Sequence, residues 1–526
     1  MAIDLQSRVR PADVPTAVHA APTPSPWARG IAAVRRARRA PVVAVHLLAL
    51  GIIVLGSRTA LLDKSIRLDE AQSLWQTDHS YGYLLRLIAE DVHVPLYHVL
   101  LRTWRLVFGP DIVTARLFSL IFLLAAVPVF YAVARKCLSR PWAMFGLVVF
   151  ACSPFLQWYG DEARMYSMLV FVTLVSQYFF LTVVTAGTTR AWVGYAGAAL
   201  VGAYTHYFFF FVLASQGLYL LGLVLARRLP RGALVRMVAV AALVGVAITP
   251  WYLYFRANGS ASGTRPSLPS PSSVDYSNVY SQFLFGFQSD AINTTVVSTW
   301  PLLVLAALAS VRVANRLDRT MAYMIVAAFV PVLLAFVVSH LVSPFFLSRY
   351  MIAALPALLI VVLRFCSALS RPVGRTLAVC LLAVTITGTV VQAADPASPV
   401  KEDYRAAAEL AEAARPQDVV VISSPFTIYP FEYYYDGAAK VTTLPEWNRQ
   451  EAAPSFDPAT MPAQVQSLAA GHQYVYLLLS YDQGYEDDIY QYFASNYELT
   501  ASTSPSPGLR MLVYRVGYSE ALPVGD

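Results

Sequence analysis

The sequence predicts a polytopic α-helical membrane protein of about eleven transmembrane helices with a C-terminal extracytoplasmic α/β domain. Three observations predict it. Of 526 residues, 57% are hydrophobic and only 13% are charged, against roughly 25% charged in ordinary globular chains. Apolar runs long enough to cross a bilayer recur from residue 41 to residue 392. From residue 393 on, the pattern changes to short amphipathic and alternating segments. A soluble enzyme is excluded, because so little charge could not cover its surface. Disorder is excluded for most of the chain, because apolar runs dominate it. The formal charge of +7 does not point to nucleic acid, since the arginines sit beside apolar spans, as the positive-inside bias requires. The cysteines, Cys137, Cys152, Cys366 and Cys380, lie in or beside apolar runs and build neither a disulfide framework nor a zinc motif.

Residues 1–40 are polar and Pro-rich and carry Arg8, Arg10, Arg29, Arg35, Arg36, Arg38 and Arg39. They read as a disordered cytoplasmic tail before a retained first span, since a cleavable signal has a shorter charged region and a small-residue cleavage site. The spans fall near 41–57, 112–134, 141–158, 166–186, 191–205, 207–226, 233–254, 298–314, 320–340, 350–366 and 374–392. With the N-terminus in the cytoplasm, every inner loop carries arginine: Arg135 and Arg140, Arg190, Arg227 to Arg231, Arg312 to Arg319, and Arg364 to Arg375. An odd number of spans puts the C-terminus outside. The outer segments are then a long first loop (58–111), a short second loop (159–165), a turn at Thr205–Tyr207, a loop at 255–297, a short loop at 341–349 and the domain 393–526. The 255–297 loop reads as a flexible Ser/Gly/Pro stretch followed by an aromatic helix on the membrane surface. In the last domain, Lys401–Arg415 reads as an amphipathic helix, and Asp418–Ile422, Tyr474–Leu479 and Arg510–Val516 as strands.

Polar residues that topology does not explain gather on the outer side. Asp69 and Glu70 lie just beyond span one, where partial desolvation raises a carboxyl pKa and makes a general base. Such acids also cap a surface helix, by about 0.3–1 kcal/mol. Asp161, Glu162, Arg164 and Tyr166 crowd the second outer loop, which could equally be polar in order to face water. His93, Tyr97 and His98 form a third group. The two histidines are poorly spaced to share one metal on a helix face, and an interfacial aromatic belt is the plainer reading. Arg349 and Tyr350, with His340 nearby, open a span from outside, against the positive-inside trend. Arginine there can hold a phosphate bidentately or snorkel to lipid headgroups. His206 and Arg116 raise the same question. These groups share one side of the membrane, where boundary ionisable residues mark functional sites.

The pattern resembles the GT-C glycosyltransferases, and within them glycosyltransferase family 39, which contains the protein O-mannosyltransferases and the lipid A aminoarabinose transferases. The matching pieces are Leu68-Asp69-Glu70-Ala71, His93-Val94-Pro95-Leu96-Tyr97 with Arg116 beyond, Asp161 to Tyr166, Thr205-His206-Tyr207-Phe208, and Ser348-Arg349-Tyr350 with Pro356. They cover roughly residues 40–395. The family more often has two prolines where this chain has His93-Val94-Pro95.

The resemblance implies a GT-C catalytic domain over 41–392 and a soluble domain over 393–526. It implies inverting transfer of a sugar from a polyprenyl-phosphate donor to a lipid, glycan or protein acceptor hydroxyl. Asp69 would be the base and Glu70 its like-charged neighbour. Asp161 or Glu162 would be a second acid, and Arg349 and Arg164 would neutralise the departing phosphate. His206, Tyr166, His93, Tyr97 and Tyr350 would line the substrate pocket. No metal site and no required cofactor is expected, with a divalent cation left open by His93 and His98. The competing class is a transporter or lipid flippase. That class calls for inverted repeats and mid-membrane charges, which this sequence does not show.

Overall fold

The computed structural model describes residues 26–58, 61, 64–91, 93–259, 268–288, 318–394, 402–449 and 454–517, with side chains from residue 40 onward. The chain divides into two units, Met1–Val45 and His46–Asp526. Of the first, the structure describes the start of helix Pro26–Gly56. The second holds everything that follows.

Among the described residues, six helices are long and apolar enough to cross a membrane, or seven if one bent pair counts as a single span. They are Ile112–Cys137, Tyr166–Ala186, Arg231–Asn258, Arg319–Leu341, Ser348–Ala368 and Arg371–Ala394. Among the described residues the expected count of eleven is not confirmed. Thr189–Thr205 and Phe209–Leu225 are helical but shorter, and the expected span at 298–314 lies outside the described residues. The run 141–158 read from the sequence as one span is two helices, Arg140–Ala151 and Pro154–Gly160, meeting at 55°. Pro154 has no N–H to continue the ladder, and Ser153 caps the second helix by accepting from the Leu156 amide at 3.4 Å.

Helix Tyr166–Ala186 is buried along most of its length between Ile112–Cys137 and Thr189–Thr205. It stops at Gly187, whose φ of +63° closes the terminus with amide bonds to Thr182 and Val183 oxygens. Polar side chains tie the apolar helices together. Gln216 donates to the Tyr323 hydroxyl at 2.9 Å and accepts from that of Tyr195 at 2.9 Å. Helix Arg231–Asn258 instead exposes Val235, Val238, Leu243 and Val246, the surface expected of a helix facing lipid.

The segment after the first helix folds into short helices at one end of the bundle: Leu68–Asp78, Tyr81–Glu90 and Leu96–Phe108. Helix Ser273–Phe285, expected to lie on the membrane surface, packs against Pro154–Gly160 and Arg371–Ala394 and buries Tyr280, Phe283 and Leu284.

The C-terminal segment forms a five-stranded sheet of β1 (Val419–Ser423), β2 (Lys440–Leu444), β3 (Tyr474–Ser480), β4 (Glu498–Ser506) and β5 (Leu509–Arg515), in the order β2-β1-β3-β5-β4. β1 is parallel to β2 and β3, while β5 runs antiparallel between β3 and β4. Val420, Ile422, Leu478 and Met511 face helix Tyr404–Ala411 and Phe431. Val421, Leu477, Leu479 and Leu512 face Val465, Ile489 and Phe493 on the other side. With both faces covered, β1 is a continuous apolar run. β2 and β4 escape the sequence reading because they are edge strands rich in Lys, Thr and Ser, and β4 is almost wholly exposed.

Helix Ile428–Tyr434, which leaves the carboxyl end of β1, docks the sheet onto helix Leu68–Asp78. The Tyr434 hydroxyl accepts from the Ile66 amide at 2.8 Å, that of Tyr433 accepts from the Ile112 amide at 3.1 Å, and the Tyr429 ring lies 5.1 Å from Trp75.

Candidate active site

Helix Leu68–Asp78 opens with two adjacent carboxylates. Successive residues on a helix point about 100° apart, so Asp69 and Glu70 cannot face the same partners. Glu70 turns inward and is fully buried. Arg116 from helix Ile112–Cys137 grips it with two bonds, Nε to Oε1 at 2.9 Å and Nη2 to Oε2 at 2.7 Å. The Arg67 and Ala163 amides donate to the same carboxylate, each at 3.1 Å. Arg116 also donates to the Lys64 and Ser65 carbonyls. Glu70 thus caps its own helix and anchors three segments of chain. With Glu70 committed to Arg116, the charges that dominate the Asp69 carboxyl are those of Arg349, Arg164 and Arg67, not the like charge of its neighbour expected from the sequence.

Asp69 turns the other way and meets Arg349 at 3.0 Å, both side chains remaining about a quarter exposed. Arg349 stands in the 3-10 turn Ser348–Ala354 that opens helix Leu355–Ala368. Burial alone raises the Asp69 carboxyl, but Arg349, Arg164 and Arg67 outweigh it and hold the group well below the usual carboxylate range. The expected raised pKa is therefore reversed, because a hydrophobic mouth was assumed where three guanidinium groups converge.

The second loop, residues 161–165, is buried throughout, so it is not polar in order to meet water. Glu162 accepts from Arg67 at 2.8 Å. Asp161 interacts electrostatically with Lys64 and Arg116. Arg164 spans the pocket: Nη1 donates to the Ser73 hydroxyl at 3.2 Å and the Asp69 carbonyl at 3.4 Å, and Nη2 to His93 Nε2 at 2.8 Å. Burial, with Arg164 beside it, pushes the His93 imidazole down to about 3. His93 is therefore a neutral acceptor, and Asp91 at 3.4 Å does not form an ion pair with it. Burial holds His98 and His206 well below the usual histidine value too.

Asp69, Arg164, His93 and Arg349 are thus brought together. Tyr166 and Tyr350 flank the pocket through His206, at 6.2 and 5.4 Å between ring centres. Tyr97 belongs elsewhere. It is fully buried, and its hydroxyl meets Ser119 Oγ at 2.6 Å, which in turn donates to the Arg164 carbonyl at 3.2 Å. It supports the loop behind the pocket. His98 stacks on His93 at 5.9 Å. Sequence reasoning missed Arg67 and Ser73 as pocket members. It also missed Tyr481 of the C-terminal domain, which interacts electrostatically with Arg349 and Asp69. Nothing local marks Tyr481, since only tertiary folding brings it near. Among the described residues, no three His, Cys, Asp or Glu side chains are grouped to hold a metal.

Residues 92–254, less than a third of the chain, match the family described as dolichyl-phosphate-mannose-protein mannosyltransferase. The match includes His93, Arg164 and His206 but stops short of Asp69 and Arg349. No curated protein matches the chain. Among solved structures, ArnT from Cupriavidus metallidurans in the apo state is 14% identical with a TM-score of 0.56, covering 91% of this chain and 98% of that one. The same protein bound to undecaprenyl phosphate gives 15% and 0.55, covering 92% and 99%. The oligosaccharyltransferase of Archaeoglobus fulgidus, in complex with zinc and sulfate, gives 12% and 0.53, covering 90% and 73%. These likenesses show the fold: a polytopic GT-C architecture with a small C-terminal sheet domain.

Removing one partner of the Glu70–Arg116 pair strands a buried charge. Glu70→Met or Arg116→Met alone is expected to cost about 3–5 kcal/mol, and the double variant to recover much of it. Thermal unfolding in detergent measures both.

The buried histidines set a pH dependence. His93, His98 and His206 have folded pKa values below their unfolded value near 6.5. The unfolded chain therefore binds more protons below that pH, and stability falls as pH drops, by at most about 4 kcal/mol per pH unit for three groups. Asp69, whose folded value is depressed, adds loss of the same sign below about pH 4. Thermal unfolding from pH 8 to pH 4 should show a plateau followed by a steep acid decline, shallower in His93→Gln.

Proposed function

Because this chain has the fold of the GT-C glycosyltransferases, we propose that it is a membrane glycosyltransferase. It transfers a sugar from a polyprenyl-phosphate donor to an acceptor hydroxyl on the extracytoplasmic side. In this reading, residues 41–392 are the catalytic domain, the N-terminal tail is cytoplasmic, and the domain 393–526 is extracytoplasmic. The observation that carries it is the Asp69–Arg349 contact at 3.0 Å with Arg164 alongside. A carboxylate and phosphate-binding guanidinium groups then share one pocket at the end of an apolar bundle. ArnT, the similar structure, has been solved with undecaprenyl phosphate, which supports a lipid phosphate as the donor's carrier.

The transfer is a single displacement. The acceptor oxygen attacks the anomeric carbon while the bond from that carbon to the phosphate oxygen breaks on the opposite face. The electrons of that bond leave with the polyprenyl phosphate, and the acceptor proton passes to Asp69. The anomeric configuration inverts. Arg349 and Arg164 stabilise the charge developing on the phosphate, and do so strongly where water is excluded.

The resting ion pair makes Asp69 a weak base, because Arg349 stabilises its charged form. The donor phosphate competes for the same guanidinium group. As Arg349 turns to phosphate, Asp69 loses its strongest counter-charge and becomes more basic when the acceptor needs deprotonating. Glu162, already bound by Arg67, orients the pocket's cationic wall. Arginine alone suffices at the leaving group, so no metal is obligatory.

Asp69→Asn separates the two roles of this carboxylate. Turnover should fall by about 10²–10⁴, the usual worth of a general base. Undecaprenyl phosphate should bind more tightly than in the parent protein, since Arg349 no longer has a competing partner. Equal or weaker binding speaks against the exchange of partners. A second measurement is release of undecaprenyl phosphate from undecaprenyl-phosphate sugars in the presence of EDTA. The expected rate is unchanged, and a loss restored by a divalent cation would count against a metal-free leaving group.

A further inference from the structure

The C-terminal domain is not a remote appendage. Helix Ile428–Tyr434 lies on helix Leu68–Asp78, which carries Asp69. That docking sets the helix that follows β1 against the helix of Asp69, and Tyr481, which follows β3, lies within electrostatic reach of Asp69 and Arg349. β1 and β3 are also where the sheet's chain order reverses, since β2 lies on one side of β1 and β3 on the other. In open parallel sheets, ligands bind beyond the carboxyl ends of strands at such a reversal.

Tyr481 immediately follows β3 at this point. Its φ of +53° lies in the left-handed region, which disfavours any residue with a Cβ and which glycine adopts freely. A tyrosine there comes at a cost to the fold, and such residues cluster at ligand sites. The turn is held from below: Ser480 Oγ donates to Thr427 Oγ1 at 2.7 Å and to the Ser423 carbonyl at 3.3 Å. The residue is 46% exposed and its side chain stands within electrostatic reach of Arg349, Asp69 and Glu402. Glu402, from the same domain, in turn interacts with Arg67.

We propose that Tyr481 forms the acceptor-side wall of the pocket, and that the acceptor it receives is a sugar. An exposed aromatic ring with a carboxylate beside it offers a flat apolar face and hydroxyl acceptors together, which is the chemistry a sugar ring presents in reverse. The donor's phosphate is held by Arg349 and Arg164 from the bundle, so the domain supplies the second substrate's surface. The inference rests on the glycosyltransferase reading and names the substrate class of the same site.

The test uses the full-length protein in detergent with undecaprenyl-phosphate-linked mannose, arabinose, aminoarabinose and galactose. The acceptors are octyl glycosides, the matching methyl glycosides and a Ser/Thr peptide. Tyr481→Gly keeps the turn without strain and so should fold at least as stably as the parent. It is expected to raise the KM for an accepting glycoside by about ten-fold or more, while undecaprenyl phosphate binding stays within about two-fold. Tyr481→Phe should retain most of the acceptor affinity, because the ring remains. Preference for octyl over methyl glycosides would identify a glycolipid acceptor, and equal use a free glycan. An unchanged KM in Tyr481→Gly, an equal loss of undecaprenyl phosphate binding, or transfer to the peptide alone overturns the proposal. Failure of the parent protein to release undecaprenyl phosphate from any donor overturns the glycosyltransferase reading itself, and is distinguished by leaving all variants equally silent.

Discussion

The buried Glu70–Arg116 pair sets the geometry on which the pocket depends. Two ion-pair hydrogen bonds, two backbone amides on the carboxylate and two carbonyls on the guanidinium leave neither partner free to rotate. The pair joins the strand of chain before Leu68, the helix Ile112–Cys137 and the loop that follows Pro154–Gly160. Desolvating both charges is expensive, and such pairs contribute little net stability compared with apolar packing. Their value is directional. By fixing the rotation of helix Leu68–Asp78 about its axis, Glu70 determines where its neighbour points, and Asp69 emerges toward Arg349.

The charge balance of the pocket follows from that placement. Glu70 is taken by Arg116 and Glu162 by Arg67. Arg349 has Asp69, and Arg164 donates to His93, Ser73 and the Asp69 carbonyl while the Asp69 and Asp91 carboxylates act on it electrostatically. The neutrality of His93 matters here, since a charged imidazole would repel Arg164 rather than orient it. Arg349 and Arg164 thus converge on the single carboxylate of Asp69, a local pairing of two guanidinium groups that suits an anionic ligand. In the proposed glycosyltransferase reading, a phosphate arriving at Arg349 and Arg164 displaces Asp69 from its strongest partner. In that same reading, binding of the donor and activation of the proposed base become one event.

The transmembrane character, ten of the eleven expected apolar segments as helices, and the three apolar strands were legible in the sequence because each depends on local composition and period. The break at Pro154 was not read, although proline announced it, because the apolar run continued across it. Asp69, Arg164 and Arg349 were legible as residues that topology could not explain. Their protonation was not, since a pKa depends on which charges tertiary folding brings within a few ångströms. Adjacent Asp69 and Glu70 looked alike in one dimension, and only helical rotation assigns one to the fold and the other to the pocket. Tyr97 carried the family pattern yet serves as support, because its position in the motif does not reveal that Ser119 takes its hydroxyl. The edge strands β2 and β4 gave no hydrophobic signal at all.

The placement of the small sheet domain follows from the same economy of contacts. Its docking helix presents Tyr429, Tyr433 and Tyr434 to the short helices at the bundle end, and two of these hydroxyls satisfy backbone amides of Ile66 and Ile112. Both amides flank the segments that Glu70 and Arg116 hold together. A shift of the domain would therefore unsatisfy the backbone on either side of the pocket, so the domain and the pocket are positioned as one unit. That coupling is what allows Tyr481, more than four hundred residues from Asp69 in sequence, to stand at the same opening.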